Sequence, residues 1–553
     1  MKLYPLFRLD TLNGFIGIFI GLFFVLILIY SLDFMWKKRN LLQYYFYIIL
    51  TALFSLVVVF TNDLRLLLVF WGLLGLTLYL LINIADDEKA SLTAKKTFII
   101  VGGSDCLMLL GIAIIYFLSG TFQMDKIKLS FNSSLTNLAY LCLVIACFAK
   151  AGAMPVHSWI PDCAEYAPLT VTAYLPASLD KLLGIYLLAR ISLDLFVMNS
   201  IMNIFLMIIG AITIIAAVMM ALIQHNIKRL LGYHAVSQVG YMVLGIGTGV
   251  AVGIAGGIFH MLNHAIYKSC LFLSTANVEY RTKTSELDKL GGLAKILPIT
   301  YLSCLVASLS ISGVPPFNGF VSKWMVYQGI IEKLTAYSAQ FTAQRFVAIL
   351  CLVAAMFGSG LTLASFMKLI HGVFLGQDGD NKQVWAEVSW RMWLPTVILA
   401  VVCIVFGVFA YPVPLKLFIF PAVKGIDFIG TWHAGLSTLL IILGLVLGIS
   451  IFSLRDLKPV FRKDRPFMGA ETTALELTKV SGVEFYNTIK ELKVLSFIYK
   501  KAEAGFFDIY EQGKRFVFAI GRGLQYLHNG VLPSYLVWCL LGMLGLFYVI
   551  IFK

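Results

Sequence analysis

Charge is scarce in this sequence. Of its 553 residues only 13% are Asp, Glu, Lys or Arg, while 60% are hydrophobic; soluble domains carry roughly 25% charged residues. A soluble globular protein is excluded, because the apolar stretches exceed anything a water-surrounded core of this size buries. Cysteine is present but unorganised: nine residues, mostly in apolar segments, with no CxxC and no Cys/His ligand spacing. Neither an iron–sulfur cluster nor a structural zinc site is indicated. Acidic residues are the rarer charge, 29 against 43 Lys and Arg. The positive excess is spread through short loops such as WKKRN at 36–40 and RDLKPVFRKDR at 455–465. That is the pattern of membrane topology and anionic lipid, and it argues against a nucleic-acid partner. The first apolar run, 12–32, is longer than a signal-peptide core and lacks a small-residue cleavage site, so it reads as a retained helix.

What is present is a succession of membrane-length runs, at 12–32, 42–60, 64–84, 97–118, 202–224, 232–250, 252–277, 346–374, 393–411, 433–453 and 532–552. Two further regions are broken by Pro, Gly and polar residues: 136–190, around Met154, Pro155, His157, Pro161 and Asp162, and 297–333, around Gly313, Pro315, Pro316 and Gly319. Lipid cannot satisfy the backbone groups such breaks release, so they should face protein or a wet cavity. Lys150 and Lys323 stand beside the two breaks, which hints at two related halves. Lys37, Lys38, Arg39, Lys89, Lys95 and Lys96 place the loops after the first and third crossings in the cytoplasm and the amino terminus outside. Between 483 and 530, Phe485, Ile489, Leu492, Leu495, Tyr499, Phe506, Ile509, Phe516, Ile520 and Leu524 recur at helical spacing opposite Lys490, Lys493, Lys500, Lys501, Lys514 and Arg515. The expectation is one amphipathic helix of roughly 45 residues, about 65 Å long, on the membrane surface. Gly505, Gly513, Gly521 and Gly523 are places where it can divide.

Ionisable residues at membrane depth cost on the order of 2.5–3.5 kcal/mol each, so each requires a reason. In FHMLNHAIYKSCLFL, His260, His264 and Lys268 stand four apart. Steps of four rotate about 40° on a helix, so they form a stripe roughly 12 Å long that can carry water and protons. No carboxylate lies near the histidines, which argues against zinc. Lys150 and Lys181 interrupt two other apolar stretches, with Asp180 next to Lys181; Lys323 follows the second break, and Lys368 and His371 lie in LASFMKLIHGVF. His157, Lys228, His234 and Asp105 complete the secondary candidates for a proton path. Asp63, Asp86, Asp87 and Glu88 flank the 64–84 run as solvated caps.

The stretches FAKAGAMPVHSWIPD, NIKRLLGYHAVSQVGYM, FHMLNHAIYKSCLFL, LDKLGGLAK and GVPPFNGFVSKW together resemble the antiporter-like proton-channel subunits shared by respiratory complex I, Mrp cation/proton antiporters and membrane-bound energy-converting hydrogenases. The surface helix followed by a last crossing resembles the large distal subunit, with its lateral helix. The resemblance implies an all-α polytopic membrane protein of about 14 transmembrane helices, with two inverted five-helix repeats containing broken helices, a C-terminal lateral amphipathic helix and a final crossing. It implies residues 1–200 as the first helices and first half-channel, 201–380 as the second, 381–455 as additional crossings, 456–530 as cytoplasmic linker and lateral helix, and 531–553 as the final crossing. It makes Lys150 the central lysine of the first half, Lys181 the connecting lysine, His260, His264 and Lys268 the central axis, and Lys323 the lysine of the second broken helix. Nickel–iron, iron–sulfur or flavin centres belong to partner subunits, none to this chain. The expected partners are other membrane subunits along the lateral helix and a soluble electron-transfer arm, in a prokaryotic plasma membrane.

Two departures from the family pattern stand out. Where the family has Trp-Glu this chain has Trp71-Gly72, so the carboxylate expected opposite Lys150 is missing, leaving Asp105 or a partner subunit to supply it. The usual first pair of helices also has no counterpart before LFRLDTLNGF. The SLDKLLGIYLLAR and LASFMKLIHGVFLG stretches resemble hydrogenase-type complexes more than complex I, which makes a redox-driven, hydrogenase-type ion pump the leading expectation. The alternatives are an Mrp-like sodium/proton antiporter without redox coupling, an energy-coupling subunit of a bicarbonate-accumulating complex, and a scaffold with a dead channel.

Overall fold

The computed structural model describes residues 6–36, 38–336, 342–376, 386–426, 429–454 and 486–552. Lys37, the basic stretch at 455–465 and Phe485 lie outside the described residues. The chain divides into two compact units, Met1–Leu492 and Lys493–Lys553.

Among the described residues the regular elements of the first unit are helices, apart from the two-residue strands Leu129–Ser130 and Phe196–Val197, which pair in parallel. Its helices are α1 (Thr11–Phe34), α2 (Leu41–Phe60), α3 (Leu64–Asn83), α4 (Glu88–Ser119), α5 (Ser134–Ala151), α6 (Trp159–Tyr166), α7 (Leu169–Tyr174), α8 (Asp180–Arg190), α9 (Ser200–Leu222), α10 (Ile227–Gly247), α11 (Ala251–Thr282), α12 (Pro298–Ser312), α13 (Asn318–Ala336), α14 (Ala343–Ile370), α15 (Trp390–Val408), α16 (Phe420–Ala422), α17 (Ala434–Leu454) and α18 (Asn487–Glu491). The second unit holds α19 (Lys493–Glu503), α20 (Ile509–Leu527) and α21 (Leu532–Phe552).

Among the described residues ten helical segments are long and apolar enough to cross a membrane by length and composition. The expected crossings at 232–250 and 252–277 are helices but are not among those ten. What lowers their hydropathy is Lys228, Arg229, His234 and Gln238 on α10, and His260, Asn263, His264 and Lys268 on α11. Lipid would not tolerate such side chains at depth; protein surrounds His234 and Gln238, and α11 is buried over nearly its whole length.

The ends of the first unit are tied at two faces. At the far face Phe7 bridges to Thr61, Asp63 to Gln123, and the two short strands pair. At the near face Asn226 bridges to Glu286. Helix α5 starts at the far face and stops at Gly152 (φ +83°), inside the bundle; α12 starts at the near face and stops at Gly313 (φ +79°). The two broken helices therefore enter from opposite faces. A left-handed glycine ends each, as the loss of Cβ allows, and α6 and α13 carry the chain onward to the other side.

Glycine also sets how closely the central helices approach. A Cβ on Gly240 would lie 2.6 Å from the Gly210 carbonyl oxygen, and one on Gly210 2.7 Å from that of Gly240, so α9 and α10 touch backbone to backbone. Gly245 meets Gly253 and Gly257 of α11 in the same way, and Gly329 of α13 meets Gly253. Small residues at such crossings are how helices pack tightly where no hydrophobic effect drives them together.

The amphipathic region departs from the expected single helix. It is three pieces, parted at Leu492 and again at 504–508. Gly505 adopts φ +72° and Asp508 caps α20 by accepting from the Tyr510 amide, so the chain turns there. Gly513, Gly521 and Gly523 lie inside α20 without breaking it.

Candidate functional site

The six leading ionisable residues, Lys150, Lys181, His260, His264, Lys268 and Lys323, lie on α5, α8, α11 and α13. Lys150 is fully buried at the end of α5, its ammonium 5.2 Å from the Trp71 ring and 3.5 Å from the Trp71 carbonyl oxygen. Its electrostatic neighbours are Asp180 and Asp105. A Cβ on Gly72 would sit 3.7 Å from Asp105 Oδ2, and one on Gly75 3.9 Å from it. A carboxylate from α4 thus lies beside Gly72, in van der Waals contact with where a side chain would begin.

Lys181 is fully buried on α8, and its ammonium lies 5.9 Å from the Trp159 ring. It packs against the first break: a Cβ on Gly152 would come within 3.2 Å of Lys181 Nζ. Gly184 makes this possible, since a Cβ there would lie 2.7 Å from the Ala151 amide nitrogen. Just before Asp180 the backbone runs through a π-helical turn, Leu175–Leu179. Such turns occur mostly as single bulges inside α-helices and are frequent at functional sites. The Ala173 carbonyl before it accepts from Ser178 at 3.0 Å and from Ser269 of α11 at 2.9 Å.

His264 and Lys268 are the electrostatic neighbours of Lys181. His260 is better anchored: its Nδ1 is 2.9 Å from Ser322 Oγ, and its Nε2 is 3.2 Å from Gln238 Oε1 and 3.3 Å from the Tyr267 hydroxyl. Beside it Asn263 and Asn318 exchange hydrogen bonds, which pins α11 to the start of α13. Lys323, one residue past Ser322, donates at 2.8 Å to the Ile311 carbonyl at the open end of α12, and its ammonium lies 4.7 Å from the Tyr241 ring.

Buried polar atoms normally have partners. Among the described residues, Asp105 Oδ1, both oxygens of Asp180, Lys181 Nζ, both ring nitrogens of His264, Lys268 Nζ, His234 Nδ1 and Gln238 Nε2 have no hydrogen bond. They recur along one line of neighbouring residues.

The other candidates divide. His234 and Lys368 are buried near this line, whereas Lys228 pairs with Glu279 at 3.1 Å at the near face and His371 is exposed in a π-helical turn after α14. His157 is buried at the first break. Of the caps, Asp63 is buried and bound to Arg65 at 2.7 Å rather than solvated, while Asp86 meets Arg39 at the surface. Sequence reasoning passed over Ser322, Asn263, Asn318, Tyr267 and Ser365. The available signal was their polarity at membrane depth within a turn of an ionisable residue.

Residues 61–347, more than half of the chain, match the family described as NADH:quinone oxidoreductase/Mrp antiporter, transmembrane. The chain belongs to that family. It is an integral membrane protein. The chain is 32% identical over 406 residues to Na(+)/H(+) antiporter subunit A1 of Staphylococcus epidermidis, covering 69% of this chain and 50% of that protein. It is 28% identical over 426 residues to hydrogenase-4 component B of Escherichia coli, covering 73% and 62%. The chain thus spans about half the length of the antiporter relatives. In structure it is similar to a chain of the membrane-bound sulfane sulfur reductase, an archaeal respiratory membrane complex, with a TM-score of 0.80 at 22% identity over 98% of this chain and 89% of that one. It is also similar to a chain of the Mrp complex from Dietzia sp., with a TM-score of 0.67 at 21% identity over 75% and 83%. The fold is that of the antiporter-like subunits.

Proposed function

We propose that this chain is an ion-translocating, antiporter-like membrane subunit of a complex I-related machine of the redox-driven, hydrogenase-type class. The observation that carries the reading is the line of buried, unpartnered ionisable atoms from Asp105 to Lys268. Their desolvation is tolerable only where water reaches them, and a hydrated row of lysines and histidines exchanges protons. In this reading the chain has about 14 crossings arranged as two inverted five-helix repeats, which the opposite entry of α5 and α12 supports. Lys150 and Lys323 serve the two halves, Lys181 links the first half to the axis, and His260, His264 and Lys268 form that axis. Asp105 replaces the carboxylate missing at Gly72. The near face, with Arg39, Lys96, Lys228 and Arg229, is cytoplasmic in a prokaryotic plasma membrane. The amphipathic helices dock neighbouring membrane subunits, and metal or flavin centres reside on a soluble arm.

Transfer of charge along the row follows from mutual electrostatics: a change at one site alters its neighbours. Moving one charge against 100 mV costs about 2.3 kcal/mol, within reach of such coupling. Lys150→Ala and Lys268→Ala should abolish gradient formation by the intact complex while electron transfer persists in part. Wild-type gradients in both refute the assignment. A second reading, an Mrp-like antiporter subunit without redox coupling, is favoured by the 32% identity to an antiporter subunit. Purification in mild detergent separates them: nickel–iron and iron–sulfur partners support the first, small membrane subunits alone the second.

A further inference from the structure

The axis residue Lys268 has no hydrogen bond of its own, and its ammonium stands between two phenylalanine rings, 5.6 Å from Phe272 and 5.8 Å from Phe366. On Phe366 it meets His234, whose ring is 4.7 Å away from the same phenyl. His234 Nε2 is 2.7 Å from Ser365 Oγ, while its Nδ1 is buried without a partner. One turn further along α14, Lys368 donates at 2.9 Å to the carbonyl oxygens of both Leu222 and Gln224, where α9 ends at the near face. The adjoining loop carries His225, whose Nδ1 is 2.9 Å from the Asp288 carboxylate, both partly exposed. Polar groups therefore run from the near-face surface to His234 between α9, α10 and α14, and the Phe366 ring contacts both His234 and Lys268.

We infer that this sequence, Lys368 to Ser365 to His234, is a proton branch joining the near face directly to Lys268, an inference that rests on the transport reading above. A proton arriving at Lys368 leaves its ammonium through a bridging water to Ser365, since the two side chains are one helical turn apart. The Ser365 hydroxyl accepts it and donates its own to His234 Nε2. The ring then releases the opposite proton from Nδ1 toward Lys268. Each relay group ends with the protons it began with, apart from the tautomer of His234, which resets when the ring turns before the next proton passes. Capping of α9 by Lys368 alone would require neither the short His234–Ser365 contact nor an orphaned Nδ1.

The test uses the intact complex in inverted membrane vesicles, with acidification followed by a fluorescent amine and driven by the redox substrate pair or an imposed sodium gradient. Ser365→Ala and His234→Phe should each slow acidification about tenfold or more, with normal assembly, and Ser365→Thr should restore it. If His234→Phe does not assemble, His234→Gln takes its place. Wild-type rates in Ser365→Ala and His234→Phe, alongside a dead Lys268→Ala, overturn the branch and leave the transport reading standing. A fully active Lys268→Ala overturns both.

Discussion

At the scale of single residues the structure turns on which charges have partners. Asp105 occupies the space beside Gly72 and faces Lys150, so Asp105→Asn should impair transport to the same degree as Lys150→Ala. Restoring a carboxylate by Gly72→Glu in the Asp105→Asn background should recover part of the rate, read as vesicle acidification. Asp10, by contrast, is structural. It caps α1 and accepts two hydrogen bonds from Arg190, at 2.7 and 2.6 Å. Burial pushes its carboxyl up, but the hydrogen bonds and charge of Arg190, with Arg8 beside it, win and hold it below the ordinary 3.8. A depressed carboxyl stabilises the fold above its unfolded pKa, and that stability is lost as pH falls through the folded value. Asp10→Asn should therefore cost about 1–2 kcal/mol at neutral pH. In detergent melts the gap to wild type should close as pH drops below about 4. The stripe of His260, His264 and Lys268 was legible because spacing by four survives any tertiary arrangement. The partners of His260 were not, since Ser322 and Gln238 come from other helices and sequence spacing carries no information about which helices meet.

At the scale of elements, the broken helices were legible through Pro155, Gly313 and Pro316, residues whose backbone chemistry is local, although Gly152, which ends α5, was passed over. The expected lateral helix was too long for the complementary reason. Hydrophobic periodicity reports which side meets lipid, and that side continues in phase across a turn. The stop at Gly505, where Phe506 donates back to the Lys501 carbonyl, and the new start at Asp508 are capping signals that the period overrode. The close crossing of α9 and α10 makes a sharper prediction. Gly240→Val adds side-chain atoms where the Gly210 carbonyl oxygen and the Ile214 amide already lie within 2.6–2.8 Å of a bare Cβ. It should lower the melting midpoint or abolish assembly, a loss of about 3 kcal/mol or more, whereas Gly513→Val on the open face of α20 should leave the first unit's melting unchanged.

At the scale of the whole molecule, the glycine contacts that join α9 to α10, α10 to α11 and α11 to α13 leave these backbones no slack, because close-packed surfaces resist sliding. These four helices, which carry His260, His264, Lys268 and Lys323, are thus a close-packed block in which helix does not slide on helix. In the proposed transport reading, selectivity and timing within this block rest on small things: rotamers, ring flips and the arrival of water. Amide hydrogen exchange across 205–245 should stay equally slow in resting and turning-over complexes, and accelerated exchange during turnover would argue for moving helices. In that reading the block behaves less like a gate than like a semiconductor, a fixed lattice through which only the mobile charge travels.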